Sequence, residues 1–202
     1  PDCQSIVKKA VIESMKKKYN REKFSEDGVE YKIEVAILKD IVTLTIDTSG
    51  EGLHKRGYRK NSGGAPMKET LAAALVLLSK WEPSRVLADP MCGSGTIAIE
   101  AAMIGKNIAP GLNRSFVSEK WDIIPHDLWE DLRKHARNSI NNKEFKILAS
   151  DIDGWVIKTA RDNAKKAGVQ EQITFQKISV QNFSSKKKYG FIISNPPYGE
   201  RL

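Results

Sequence analysis

The chain has 202 residues, 40% of them hydrophobic and 29% charged, enough apolar material for a substantial core plus a smaller appended unit. Its formal net charge of +8 at pH 7 favours a polyanionic partner. No apolar run reaches membrane length, no signal or transit pattern is present, and Cys3, Cys92, His54, His126 and His135 lack metal-ligand spacing, so neither a membrane nor a metal is expected and the expected location is a reducing cytoplasm.

Ile6, Val7, Ala10, Val11, Met15 and Tyr19 form a helical stripe over residues 5–19. Tyr31, Ile33, Val35 and Ile37 alternate, as do Val42, Leu44 and Ile46 after Lys39-Asp40, which predicts a two-stranded hairpin. One helix and one hairpin are too little for an independent fold. Residues 49–66 are glycine-rich and charged and read as a linker. In it, His54-Lys55-Arg56 and Arg59-Lys60 interleave with Gly57 and Tyr58 without helical or strand period. That mixture suits phosphate contacts and stacking, so His54, Lys55, Arg56, Tyr58 and Arg59 are candidate RNA contacts. The competing reading is a linker salt-bridged to the following domain. A lysine triplet such as Lys186 to Lys188 reads as a solvated face.

Residues 67–80 predict a helix with Leu71, Leu75 and Leu78 on one face. Val86-Leu-Ala-Asp89 then predicts a strand, Pro90-Met-Cys92-Gly93-Ser94-Gly95-Thr96 a glycine loop, and Ile97 to Met103 the opening of a helix. Strand, glycine turn and helix make the first unit of a Rossmann-like sheet. The loop is neither Gly-x-Gly-x-x-Gly nor a P-loop, so pyrophosphate is not the obvious ligand. Its glycines allow close backbone approach, and Asp89 at the strand end suits a cationic ligand such as the ammonium of S-adenosylmethionine. Cys92 reads as a small neutral loop residue rather than a nucleophile.

Phe145-Lys-Ile-Leu-Ala-Ser150 predicts a second strand ending at Asp151, an acid placed to accept from ribose hydroxyls, with Ile152 beside it and Asp153 as helix N-cap. The gap from the glycine loop far exceeds the usual separation of about 20 residues. An insertion over residues 105–121 and a further helix over 127–140 fill it. A third strand starts at Ile173, and Tyr189-Gly-Phe-Ile-Ile-Ser194 predicts a fourth, followed by Asn195-Pro196-Pro197-Tyr198.

A Pro-Pro pair after a strand can simply stop it. The tetrapeptide also suits amino-group chemistry. The Asn195 oxygen and the Pro196 carbonyl form a pair of acceptors for the two hydrogens of an exocyclic base amine, and the Tyr198 ring can stack on the base. Accepting from those N–H groups returns electron density to a nitrogen whose lone pair is delocalised into the ring.

Four phrases, in order along essentially the whole chain, carry a resemblance: Asp47-Thr-Ser-Gly-Glu-Gly-Leu-His-Lys-Arg-Gly-Tyr-Arg59, Lys68-Glu-Thr-Leu-Ala-Ala-Ala74, Asp89-Pro-Met-Cys-Gly-Ser-Gly-Thr96 and Asn195-Pro-Pro-Tyr-Gly-Glu-Arg201. They resemble the THUMP-bearing RNA methyltransferases that modify guanine N2 in large-subunit ribosomal RNA, the RlmL type. The resemblance implies an α/β fold, the first four strands of a Rossmann-like class I methyltransferase sheet preceded by part of an α+β THUMP domain. Residues 1–48 would be the C-terminal part of the THUMP-like domain, 49–66 the linker, and 67–202 the N-terminal part of the methyltransferase domain. It implies S-adenosylmethionine as cofactor, bound by Asp89, Pro90, Cys92, Gly93, Ser94, Gly95, Thr96, Asp151 and Ile152. Lys68, Glu69 and Thr70 would lie near it.

Asn195, Pro196 and Tyr198 would hold the target base, and large-subunit (23S) ribosomal RNA would be the partner. Family members often carry an acid after the third strand to bind the adenine amine. This chain has Ser179-Val-Gln181-Asn182-Phe183 instead, so Gln181 or Asn182 would take that role. In a strand order of 3-2-1-4 the fourth strand is an apolar edge, and the chain is expected to be a segment whose remaining methyltransferase strands complete the sheet. Two alternatives stay open: a DNA adenine-N6 methyltransferase, and a non-catalytic RNA-binding or ribosome-assembly module.

Overall fold

The computed structural model describes residues 2–59, 66–197 and Gly199. By packing, it divides into two units: one up to Gly50 plus Phe116–Ile124, the other Glu51–Ser115 plus the chain from Pro125 on.

The first unit opens with helix α1, Asp2–Tyr19, followed by an antiparallel hairpin of β1, Lys32–Leu38, and β2, Ile41–Asp47. The turn is two residues, Lys39 and Asp40, both at positive φ (50° and 60°), the conformation whose twist matches the flanking strands. Asp47 closes the hairpin by accepting from the backbone N–H of Gly50 at 3.0 Å and Ser49 at 2.9 Å, which holds its carboxyl below the usual range. Residues 67–202 read as one domain in the sequence, yet Phe116–Ile124 packs with this N-terminal unit. Trp121 is the reason. Its ring stacks on Tyr31 at 4.7 Å and its Nε1 donates to the Glu30 carbonyl at 3.1 Å, leaving it 5% exposed.

The second unit is an open parallel sheet. Helix α2, Glu69–Leu78, precedes β3, Leu87–Asp89, and α3, Thr96–Lys106. Helix α4, His126–Asn138, leads to β4, Ile147–Asp151, then α5, Gly154–Lys166, β5, Ile173–Lys177, and β6, Phe191–Ile192. The sheet order is β5-β4-β3-β6 with every pair parallel, the expected 3-2-1-4 order. β3 is buried along its length and carries no alternation, as a strand covered on both faces should. Ile157, Ala160 and Ala164 of α5 form a stripe toward the core, and nine residues of α3 are buried. β4 starts at Ile147, later than the sequence suggests, because Phe145 turns into the core edge-on to Trp81. β6 lies on the outer edge, and Ile192 there is 74% exposed. Among the described residues no helix is long and apolar enough to cross a membrane.

Candidate active site

Parallel strands put all their C-terminal ends on one edge of the sheet, where open α/β sheets bind ligands. Asp89 ends β3, Asp151 ends β4, and Ser194-Asn195 lies just past β6. Side chains tie these three tips together. Ser194 Oγ donates to Asp89 Oδ1 at 2.7 Å, and the backbone N–H of Gly93 donates to Asp151 Oδ2 at 3.0 Å. Pairing continues past β6, where the Ile193 N–H reaches the Ala88 carbonyl at 3.0 Å.

The glycine loop is held from below. The Cys92 N–H donates to the Ser150 carbonyl at 2.8 Å, and Ser150 Oγ donates to the Pro90 carbonyl at 3.2 Å. Asn163, 2% exposed on α5, donates its Nδ2 to the Ser94 carbonyl at 3.2 Å. Gly93 and Gly95 both adopt positive φ, 54° and 84°, but differ in surroundings. A Cβ at Gly95 would press on Ala160 at 3.1 Å and on Phe175 and Ile99 at 3.4 Å, whereas one at Gly93 would meet nothing within 4 Å. Gly95 therefore lets the loop pack on the core, and Gly93 leaves an open cradle above it.

Asp89 is 1% exposed, and burial pushes its carboxyl up to about 6, with the Ser194 and Met91 hydrogen bonds and a weaker push from Asp151 modulating that shift. A buried carboxyl facing a second acid favours a cationic ligand, which would restore its charge. Burial also pushes the Cys92 thiol up, so it stays protonated and unreactive. Pro90 and Thr96 are buried and Ser94 half-buried in the same loop, while Ile152 is 70% exposed beside Asp151. Gln181 and Asn182 sit in an exposed 3-10 turn beyond β5. Asn195 and Pro196 are exposed at the tip of β6. Tyr198 and Lys60 lie outside the described residues.

The basic segment differs from expectation. Tyr58 is 2% exposed, and its hydroxyl donates to Glu100 Oε1 at 3.0 Å, which removes the ring from any base-stacking surface. Arg56 pairs with the other Glu100 oxygen at 3.5 Å. Arg59 pairs with Glu69 at 3.5 Å and donates to Thr96 Oγ1 at 2.6 Å. A buried acid on α3 and another at the start of α2 need cations, and the neighbouring linker supplies them. Arg56 and Arg59 are thus ion-paired within their unit, while Tyr58, expected to stack on a base, is buried and offers no ring face for it. Lys55 stays exposed and His54 half-exposed.

Sequence reasoning missed Ser194, Ser150 and Asn163. Asn163 left a signal: it is an amide beside the stripe of Ile157, Ala160 and Ala164.

This sheet order, glycine turn and pair of strand-end acids define a Rossmann-like class I methyltransferase fold. A family profile, RMKL-like, methyltransferase domain, matches residues 56–202, and a THUMP domain profile matches residues 1–47. The chain belongs to the RMKL-like methyltransferase domain family. A Bacillus subtilis (strain 168) protein named as a candidate RNA methyltransferase, YpsC, is 52% identical over 205 residues, covering 100% of this chain and 53% of that protein. A Listeria monocytogenes str. 4b F2365 protein named as a predicted N6-adenine-specific DNA methylase has a crystal structure with a TM-score of 0.94 and 54% identity, over 100% of this chain and 54% of its own. The crystal structure of SMU.472, a candidate methyltransferase complexed with SAH, gives a TM-score of 0.91 at 43% identity, over 98% of this chain and 53% of its own. The chain spans about half the length of these relatives, 53% to 54%.

Proposed function

We propose that the protein is an S-adenosylmethionine-dependent RNA methyltransferase acting on an exocyclic base amine, guanine N2 of 23S ribosomal RNA. The observation that carries this reading is the 2.7 Å hydrogen bond from Ser194 to Asp89, which brings the Asn-Pro-Pro motif to the acid that opens the glycine loop. S-adenosylmethionine is the cofactor, and the open cradle above Gly93 fits it. Asp89 would take its ammonium, Asp151 its ribose hydroxyls, and the loop from Pro90 to Thr96 its methionine portion, with Ile152 beside the adenine and Gln181 or Asn182 for the adenine amine. Bound there, it supplies an electrophilic methyl group on a sulfonium.

The chain's own residues then position the acceptor. The Asn195 carboxamide oxygen and the Pro196 carbonyl accept from the base amine and aim its nitrogen, while Tyr198 stacks on the base, which leaves its own stack to reach them. Rate comes chiefly from proximity and alignment. No strong general base is required, because the amine proton becomes acidic once nitrogen is alkylated. The THUMP match, the name of the Bacillus relative and the basic segment support RNA as substrate.

A second reading, DNA adenine-N6 methylation, is favoured by the name of the Listeria relative. Mass spectrometry of nucleosides from treated ribosomal RNA and DNA separates the two. Asn195→Ala abolishes turnover and leaves cofactor affinity by calorimetry nearly intact. Equal losses in both contradict the assigned role.

A further inference from the structure

A hollow of about 580 Å³ lies between the basic segment and residues 113–115, all within the second unit. Its lining is cationic: Lys55, Arg56, Arg59 and Arg114, with His54 among them, against Glu51 and Glu69. The backbone around it is fixed. Arg114 donates to the carbonyls of Glu51 at 2.5 Å and Gly52 at 2.9 Å, and Gly57, at φ +91°, lies so close to residue 113 that a Cβ would stand 2.4 Å from the Asn113 carbonyl oxygen.

Its donors are only partly used. Arg56 has a side chain 10% exposed, spends one Nη on the Leu53 carbonyl at 2.9 Å and the other on Glu100 at 3.5 Å, and has a buried Nε with no hydrogen-bond partner among the described residues. The Nε of Arg59 faces Glu69 Oε1 at 3.5 Å, an ion pair without hydrogen-bond geometry among the described residues. Among the described residues Lys55 pairs only with Glu51, both more than half exposed, and such a pair contributes at most about 1 kcal/mol, so the lysine turns to a better anion at little cost. Guanidinium forks match the oxygens of a phosphate.

We infer that this hollow seats a backbone phosphate of the RNA substrate, a second anchor beside the base site. The inference rests on the RNA reading above. Arg59 belongs both to the hollow and, through Thr96, to the end of the glycine loop, so a strand held here lies on the cofactor side of its unit. Buried Glu69 and Glu100 hold the two guanidiniums in place, which makes the site preformed.

The test is the salt dependence of binding a short single-stranded RNA, by fluorescence anisotropy, with S-adenosylmethionine affinity measured in parallel by calorimetry. Variants are Lys55→Ala, Arg56→Gln and, as a control of equal charge change elsewhere, Lys186→Ala. Losing one phosphate contact lowers the slope of log affinity against log salt by about 1, which near 0.1 M salt is roughly tenfold in affinity. Lys55→Ala and Arg56→Gln should each show that loss with cofactor affinity kept, and Lys186→Ala should not. Lys55 is exposed, so its variant stays informative if Arg56→Gln does not fold. Equal losses in Lys186→Ala, or none in Lys55→Ala, overturn the inference while RNA binding by the wild type leaves the function standing. Loss of cofactor affinity alone assigns the hollow to the cofactor. A wild type that binds no RNA removes both.

Discussion

Ser194 Oγ donates to Asp89 Oδ1 at 2.7 Å, joining the residue before Asn195-Pro-Pro to the residue before the glycine loop across two parallel strands. The bond sets the spacing of the two halves of the site and stabilises the ionised form of a buried acid. A hydrogen bond to a charged group contributes about 1.5–3 kcal/mol. Ser194→Ala is therefore expected to lower stability in urea denaturation and to raise the Asp89 pKa above its present value of about 6. Calorimetry of cofactor binding across pH reads the second effect as an upward shift in the pH at which affinity begins to fall. An unchanged onset means the hydroxyl does not act on Asp89.

In the wild type, burial raises the Asp89 carboxyl from its ordinary 3.8 to about 6. A cationic cofactor binds the ionised form, so affinity should weaken as pH falls through about 6, by up to tenfold per pH unit. Without cofactor, the folded state keeps a proton that the unfolded chain releases between those two values. This acid thus contributes stability that is present at low pH and lost as pH rises through that window. Asp89→Asn should flatten both dependences, and a binding curve still falling below pH 6 in that variant places the titration elsewhere.

The two glycines of the loop should separate folding from binding. An alanine in the left-handed region costs about 1–2 kcal/mol at either position. Gly95→Ala adds overpacking against Ala160, Ile99 and Phe175, so its melting temperature should drop further than that of Gly93→Ala. Gly93→Ala has room in the fold, but its methyl group enters the cradle, so it should lose cofactor affinity disproportionately. Equal loss of affinity per unit of stability in both variants contradicts a cofactor above Gly93.

The hairpin, the helices and the individual strands were legible because each announces itself locally, whereas the strand order came only with the family resemblance. Alternation in Ile33, Val35 and Ile37, the glycine turn after Asp89 and the Asp153 cap all act within a few residues. The segment from Lys55 to Arg59 stayed open between RNA contacts and a salt-bridged linker, since a charged run without period does not reveal its distant partners. Those partners, Glu69 and Glu100, lie on helices further along the chain. The one signal was Glu100, an acid inside the apolar run from Ile97 to Met103. A single acid there demands a cation and a hydroxyl. Trp121 was illegible for the same reason, because its stacking partner is Tyr31.

Tyr58 tests that account. A base-stacking tyrosine loses little when replaced by phenylalanine, because the ring is kept. A tyrosine whose hydroxyl serves buried Glu100 leaves an acid short of a donor, at a cost of about 1–3 kcal/mol. Burial already raises the Glu100 pKa against the pull of Arg56 and Tyr58, so losing the hydroxyl should raise it further. Tyr58→Phe is therefore expected to destabilise the protein in urea while RNA affinity stays unchanged. A double-mutant cycle with Glu100→Gln should return a coupling of about 0.5–3 kcal/mol between the two positions. Zero coupling, with stability intact in Tyr58→Phe, means the hydroxyl bond contributes nothing and a different force holds the ring inside.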